Sequence, residues 1–252
     1  MMEMGDLFEY YCQHFAVVRA DTPTLLDQVC RLRYQVYCVE NQFEDANQHR
    51  NGREVDQHDA TSAHILLLHR NSGTAVGTAR IIMPQPAGIW RPLPVWHILA
   101  PEVREEFERL PLHRTAEVSR FAVSKEFRRW WRNHHGPTVG TTRQHKLGIE
   151  QQLMQYITFG LIQEILQLSI EKGINYLVAA MNLSLIRILV KLGLDLEPIG
   201  EPVEYHGVRQ PCIAFLNGLI EQSQEKFTPF WQFVGYRDAF PTGVHLRPDK
   251  QI

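Results

Sequence analysis

Two charges, Glu117 and Arg120, stand three residues apart in the stretch 115–123, TAEVSRFAV, which is otherwise made of strand formers. Ala116, Val118 and Ala122 fall on a period of two, with Phe121 and Val123 filling the far end, so a buried strand is expected. A carboxylate and a guanidinium are costly to desolvate in such a strand unless they pair or meet a charged ligand. The stretch therefore reads either as a structural ion pair or as an acid/base site with a cationic partner. Upstream, Glu54, Asp56 and Asp59 close a polar segment, 44–60, that lacks any apolar period. They form either a solvated acidic loop or a receptor for a substrate ammonium group. The spacing does not complete a calcium-binding EF-hand loop, whose glycine and distal glutamate are absent. Arg33 and Tyr37 are four apart and share a helix face, as a solvated arginine beside a core-edge tyrosine or as part of a site. Arg80 is a further charge inside a strand-like run.

A second kind of chemistry is carried by residues 124–148. Lys125, Arg128, Arg129, Arg132, Arg143 and Lys146 are basic, Glu126 is acidic, and Trp130, Trp131, Gly136, Gly140 and Gly148 lie among them. The stretch is expected to be a loop, either a solvated surface or a docking patch for an anionic partner that leads into a helix N-terminus. Cys12, Cys30, Cys38 and Cys212 show no CxxC spacing and fit reduced, mostly buried thiols in a cytoplasmic protein. The 12 histidines form no HExxH or Cys/His ligand pattern, so no metal and no tightly bound cofactor are expected.

Composition narrows the class. The chain has 252 residues, 44% hydrophobic and 21% charged, as in a soluble globular protein. A net charge of −2 argues against a general nucleic-acid binder. The N-terminal residues lack the basic and apolar regions of a secretory signal, and apolar runs such as 65–68 are too short to span a bilayer.

The elements that must position these residues follow from periodicity. A first strand is expected at 14–20. A helix follows Thr22-Pro23, with Leu25, Leu26, Val29, Leu32 and Val36 on its apolar side. Residues 62–69 and 74–83 form a hairpin around 70–73, and Gly77 marks a bulge or a close backbone approach. A short helix is expected at 97–109, a long one at 149–171 stopped by Gly173, and a strand buried on both faces at 174–180. Asn182 caps a helix to Lys191, and short strands are expected at 195–206 and 211–216. A mainly antiparallel half followed by a β-α-β unit predicts an α/β (α+β) mixed sheet with helices on both faces. One domain is expected over 1–226, with the aromatic segment 227–252 packed on it.

This order resembles an N-acetyltransferase-like (GNAT, acyl-CoA N-acyltransferase-like) fold. Arg33 with Tyr37, the acids at 54, 56 and 59, Gly77 with Arg80, and Glu117 with Arg120 and Phe121 resemble the ordered motifs of acyl-homoserine-lactone (autoinducer) synthases. The segments 33–40 and 117–124, with Tyr205-His206-Gly207 and Pro211, are similar to bacterial PEP-CTERM/exosortase system-associated acyltransferases, relatives of the N-acyl amino acid synthases. The resemblance implies a sheet whose strands part around the β-α-β helix to admit a thioester's pantetheine arm. It implies an acyltransferase that moves a long-chain fatty acyl group from acyl carrier protein or acyl-CoA to the amine of an amino acid or related small molecule. The alternatives are a lactone synthase using S-adenosylmethionine and a non-catalytic acyl-carrier or lipid-binding module.

The same resemblance sets the expected roles. Glu117 is the base and Arg120 holds it or the acceptor carboxylate. Asp56 and Asp59 bind the acceptor amine, supported by Glu54. Arg33 and Arg80 anchor a carboxylate or tie down the acidic loop, and Tyr37, Phe121 and Val123 complete the substrate site. In place of the pyrophosphate loop of many acetyltransferases stands 128–132, RRWWR, which favours a carrier-protein donor. The helix 182–191 lacks a tyrosine acid, with Leu189 at the matching place. Covalent catalysis by Cys38 is the weaker mechanistic option, because no histidine is placed beside it by sequence.

Overall fold

The computed structural model describes residues 4–219 apart from 50, 87, 88, 90, 136–142, 192, 193 and 195; the segment 227–252 therefore lies outside the described residues. The chain divides into two compact units, residues 1–80 with 120–165, and residues 81–119 with 166–252.

In the first unit, α1 (Met4–His14) leads into β1 (Phe15–Arg19), which pairs antiparallel with β2 (Ser62–His69) in the register Phe15↔His69 to Arg19↔Ile65. β2 turns through Gly73, at φ +63°, into β3 (Thr74–Ile82), and the order continues to the end of β4 (Thr115–Val123). Helix α2 (Pro23–Arg33) starts as expected. Thr22 Oγ1 accepts the Leu25 N–H at 3.3 Å, and Pro23 occupies the first turn, where a missing N–H costs nothing. Its apolar side packs Val29 and Leu32, with Val36 beyond its end, against Ala20, Leu66 and Ala122. Past Arg33 the chain widens into a π-helical stretch, Tyr34–Glu40. Gly77 marks a close approach: a Cβ there would lie 3.1 Å from the Ala122 carbonyl oxygen and 3.3 Å from Leu161.

The segment after β4 corrects the expectation of a loop. Lys125–His135 is a helix, α4. Phe127 and Trp131, four residues apart, are both buried and define its inner face, while Lys125, Arg128, Arg129 and Arg132 are exposed. The density of basic residues hid a two-residue apolar signal. Helix α5 (Arg143–Glu171) begins six residues before the expected start and is followed by Gly173, at φ +65°.

In the second unit, the first residues of β4 pair parallel with β5 (Tyr176–Met181), over Thr115↔Tyr176 to Glu117↔Val178. A parallel pair requires a long crossover, and α4 and α5 supply it. The ladder stops there, so the two strands part at Glu117. Helix α6 (Leu183–Lys191) is capped by Asn182, whose Oδ1 accepts the Leu185 N–H at 2.7 Å. β5 pairs antiparallel with β8 (Val208–Phe215), which also pairs with the short β6 (Glu197–Pro198) and β7 (Val203–Glu204). In place of the helix expected at 97–109 stand a 3₁₀ turn, Pro94–Ile98, and α3 (Pro101–Phe107), because Pro101 is tolerated only in a first turn. Ile82, Leu93, Val95, Leu99, Phe107 and Val178 form the core here. Among the described residues no helix is long and apolar enough to cross a membrane, and no cluster of three or more His, Cys, Asp or Glu is placed to hold a metal ion.

Candidate functional site

The first unit gathers Arg33, Arg80 and Arg120 with Glu44, Glu54, Asp56 and Asp59. Arg33 leaves the last turn of α2 wholly buried, its Nε donating to Glu54 and its Nη1 to Asp59 at 2.6 Å. The solvated reading of Arg33 is thereby overturned, because its partners lie on a loop brought over the helix by the Glu54 N–H to Cys30 carbonyl bond. Arg80, near the end of β3, donates from Nη1 to Asp56 at 2.6 Å and to Asp59 at 2.8 Å. Arg120 Nη2 reaches Glu54 at 2.9 Å, Glu44 at 3.1 Å and Asp56 at 3.4 Å. The loop's own turn is closed by its carboxylates. Asp59 accepts the Asp56 N–H at 2.9 Å and Asp56 accepts the His58 N–H at 2.8 Å.

The electrostatics follow from this geometry. Burial alone would raise the Asp56 carboxyl, but the hydrogen bond and charge of Arg80 outweigh it and hold the group at about 2. Glu54 and Asp59 are likewise buried, and their arginine partners push both below the usual carboxylate range. His64, whose Nε2 lies 3.9 Å from Asp59, is pushed down by burial, and so is His58. Among the described residues, three guanidiniums, Arg33, Arg80 and Arg120, meet four carboxylates, Glu44, Glu54, Asp56 and Asp59. Glu54 is 1% exposed, whereas Asp56 and Asp59 keep 23% and 15% of their side chains open.

Arg120 stands in the left-handed region, at φ +51°, inside a strand. That conformation costs a non-glycine residue on the order of 1–3 kcal/mol and persists where the surroundings over-determine it. Here Glu54 and Glu44 hold the guanidinium from one side, and Tyr37 lies under it with its ring centre 5.1 Å from Cζ. The Tyr37 hydroxyl donates to the Phe121 carbonyl at 3.5 Å. Phe121 and Val123, also expected at the site, are half-buried at the end of β4.

Glu117 belongs to the other unit. It is 3% exposed and accepts the Val95 N–H at 2.8 Å, at the residue where β4 and β5 part. Glu117 thus accepts the Val95 N–H, while Arg120, itself in the left-handed region, meets Glu54 and Glu44. Cys38 is buried, and burial pushes its thiol up to about 11, so little thiolate is present at neutral pH. Of the expected docking residues, Lys125, Arg128, Arg129 and Arg132 lie on the exposed side of α4; the side chains of Arg143 and Lys146 lie outside the described residues. Sequence reasoning missed Glu44, which has no spacing signal linking it to Arg120 across 76 residues, and Glu40, which caps α4.

Residues 32–133 match the model of the acetyltransferase (GNAT) domain. That match agrees with the expected enzyme class, an acyltransferase, and with the expected mixed, mostly antiparallel sheet. A comparison with curated protein sequences gives no match. Among solved structures, this chain is similar to the AHL synthase LasI at TM-score 0.53 and 18% identity, over 79% of this chain and 88% of LasI. It is similar to FeeM, an N-acyl amino acid synthase from uncultured soil microbes, at TM-score 0.53 and 17% identity, over 84% and 96% of the two chains. It is also similar to BjaI, a CoA-dependent acyl-homoserine lactone synthase solved with SAM and isopentyl-CoA, at TM-score 0.53 and 16% identity, over 88% and 89%. At these identities the likeness is one of fold.

Proposed function

We propose that this protein is an N-acyltransferase that moves a long-chain fatty acyl group from a carrier-protein or CoA thioester to the amine of an amino acid or related small molecule. The observation that carries this reading is the ionic cluster. Within it Glu54 is sealed, whereas Asp56 and Asp59 keep part of their carboxylates open to a ligand. An acceptor ammonium is the charge such open carboxylates receive. FeeM, by its name, makes N-acyl amino acids, and BjaI was solved with an acyl-CoA, which supports a thioester donor on this fold.

In the proposed reaction Asp56 and Asp59 receive the acceptor ammonium, while Glu54, Arg33 and Arg80 hold the acidic loop in place. Arg120, backed by Tyr37, meets the acceptor's carboxylate. A general base, the role the sequence suggests for Glu117, takes the ammonium proton through a water, and the free amine attacks the thioester carbonyl. The C–N bond forms, the attacking nitrogen gives up its second proton to solvent, the C–S bond breaks, and the thiolate leaves and is protonated from solvent. Backbone amides stabilise the oxyanion on the way. The strands parting at Glu117 support entry of the pantetheine arm there. The exposed Lys125, Arg128, Arg129 and Arg132, with Arg143 and Lys146, dock the acidic surface of a carrier protein.

The test is mass-spectrometric detection of N-acylated product when purified protein is supplied with a long-chain acyl carrier thioester, or acyl-CoA, and a panel of amino acids. Glu117→Gln is expected to cut kcat by about 100-fold or more, and Cys38→Ala to retain transfer. Product from S-adenosylmethionine alone among the acceptors would move the assignment to a lactone synthase. Intact bound thioester with no turnover would move it to a binding module.

A further inference from the structure

His64, on the first turn-proximal stretch of β2, is a titratable ring buried beside the open acids, at 6% exposure. Asp59 opens the 3₁₀ turn Asp59–Thr61, and its carbonyl takes the Ser62 N–H that closes the turn. The His64 ring reaches back over this turn. Its Nε2 donates to the same carbonyl at 3.4 Å and lies 3.9 Å from Asp59 Oδ1. A carbonyl only accepts, so the neutral ring carries its proton on Nε2 and Nδ1 is bare. Nδ1 is buried and has no hydrogen-bond partner among the described residues. A second proton would make a buried N–H with nothing to donate to. The charged groups that face the ring are Asp59, Arg33 at the end of α2 and Arg80 near the end of β3. Asp59 Oδ1 is shared among them, since it accepts Arg33 Nη1 at 2.6 Å and Arg80 Nη1 at 2.8 Å. Burial, helped by the two guanidiniums, outweighs the attraction of Asp59 and holds the ring below its ordinary value, so it is neutral at pH 7.

We propose that His64 is a positioning residue for the acceptor amine: the neutral ring pins Asp59 without discharging it, and the protonated ring competes with the amine for the same carboxylate. The inference rests on the acyl-transfer reading above and deepens it, by naming what regulates the amine site. Asp59 gives one oxygen to the guanidiniums and keeps 15% of its side chain open. An imidazolium 3.9 Å from that oxygen is a third cation on the group, and each cation on a shared carboxylate weakens the others and any ammonium that joins them. Asp56 and Asp59 are both held below the usual carboxylate range, so they stay ionised over the range in which a histidine protonates. Loss of amine binding in mild acid therefore reports a histidine and not the acids. His58, also pushed down by burial, faces Asp56, Arg80, Asp59 and Arg120 and serves as the control.

Steady-state kinetics of the full chain test this, with an amino acid that the protein acylates and with acceptor and donor varied separately between about pH 8 and 4.5. In the wild type the acceptor KM should rise once the pH falls below the point at which His64 protonates, by up to about tenfold per pH unit, with the donor KM unchanged. His64→Gln keeps a neutral N–H donor and cannot become a cation, so its acceptor KM should stay within about threefold of the wild type at pH 7 and should not rise in acid. His64→Phe keeps an aromatic ring and loses the donor, so its acceptor KM at pH 7 should rise about fivefold or more. His58→Asn should keep the wild-type rise. A flat wild-type profile, a rise that survives in His64→Gln or vanishes in His58→Asn, or an unchanged acceptor KM in a folded His64→Phe overturns the proposal; if His64→Phe does not fold, the profile of His64→Gln decides. Methylammonium, followed by NMR on the His64 ring signal that His64→Gln loses, should lower the pH at which the ring protonates, and tetramethylammonium, which has no N–H, should not. That shift without N-acylated product from any amine leaves the amine site and His64 standing and sinks the acyl-transfer reading. N-acylated product with a flat acceptor KM profile sinks the role of His64 alone.

Discussion

Glu54 and Asp56 are two residues apart and do different things. Glu54 is sealed between Arg33 and Arg120, so removing its charge leaves two guanidiniums buried and under-compensated. Glu54→Gln is expected to cost about 3 kcal/mol or more, read as a lowered urea midpoint. Asp56 is open enough to meet a ligand, and its value of about 2 makes stability depend on acid. The unfolded chain titrates this group near about 4, so between about pH 4 and 2 it binds the proton before the folded one does. Stability from Asp56 is therefore fully present above about pH 4 and is lost as pH falls through about 2. Urea midpoints taken between pH 5 and 2.5 should fall, and Asp56→Asn should flatten part of the fall. At this scale the sequence was informative about which residues matter, because charges inside apolar strands have few cheap explanations. It was silent on pairing. Arg120 meets Glu54 and Glu44 rather than Glu117 because of a loop path and a left-handed backbone, neither of which any spacing encodes.

The elements that position the cluster were legible where apolar periodicity was strong and illegible where it was not. The β2–β3 hairpin, the Thr22-Pro23 helix start and the Gly173 stop follow from local rules. Helix α4 did not, since its buried face consists of Phe127 and Trp131 within a basic run. Nor did the π-helical stretch Tyr34–Glu40, which shares its apolar pattern with an ordinary helix. From it Tyr37 reaches Arg120 and Glu40 reaches α4. Gly77 offers a test of the strand packing. Gly77→Val places a branched side chain against the Ala122 carbonyl and Leu161, and should destabilise by about 1–3 kcal/mol in urea unfolding.

For the molecule as a whole, the net charge of −2 conceals an uneven distribution. Glu44, Glu54, Asp56 and Asp59 belong to one stretch of loop, and Lys125, Arg128, Arg129 and Arg132 to the exposed side of a single helix. A carrier protein steered to that helix should bind in a salt-dependent way. Reversing Arg128, Arg129 and Arg132 to Glu should lower kcat/KM for a carrier-protein donor by at least about tenfold at low salt, with the difference shrinking as salt rises. The fold class was readable from the order of elements, because a mainly antiparallel half followed by a β-α-β unit leaves few arrangements open. The division into two compact units was not, since β3 and β4 each run through both and no composition break marks the boundary. The central claim is that the open acids of the cluster receive an acceptor amine for acyl transfer. Its most direct test is the steady-state kinetics of N-acyl product formation by wild type and Asp56→Asn, with acceptor and donor varied separately. The account predicts an acceptor KM raised about tenfold or more with the donor KM unchanged; no N-acylated product from any amine, or an unchanged acceptor KM in a folded Asp56→Asn, would contradict it.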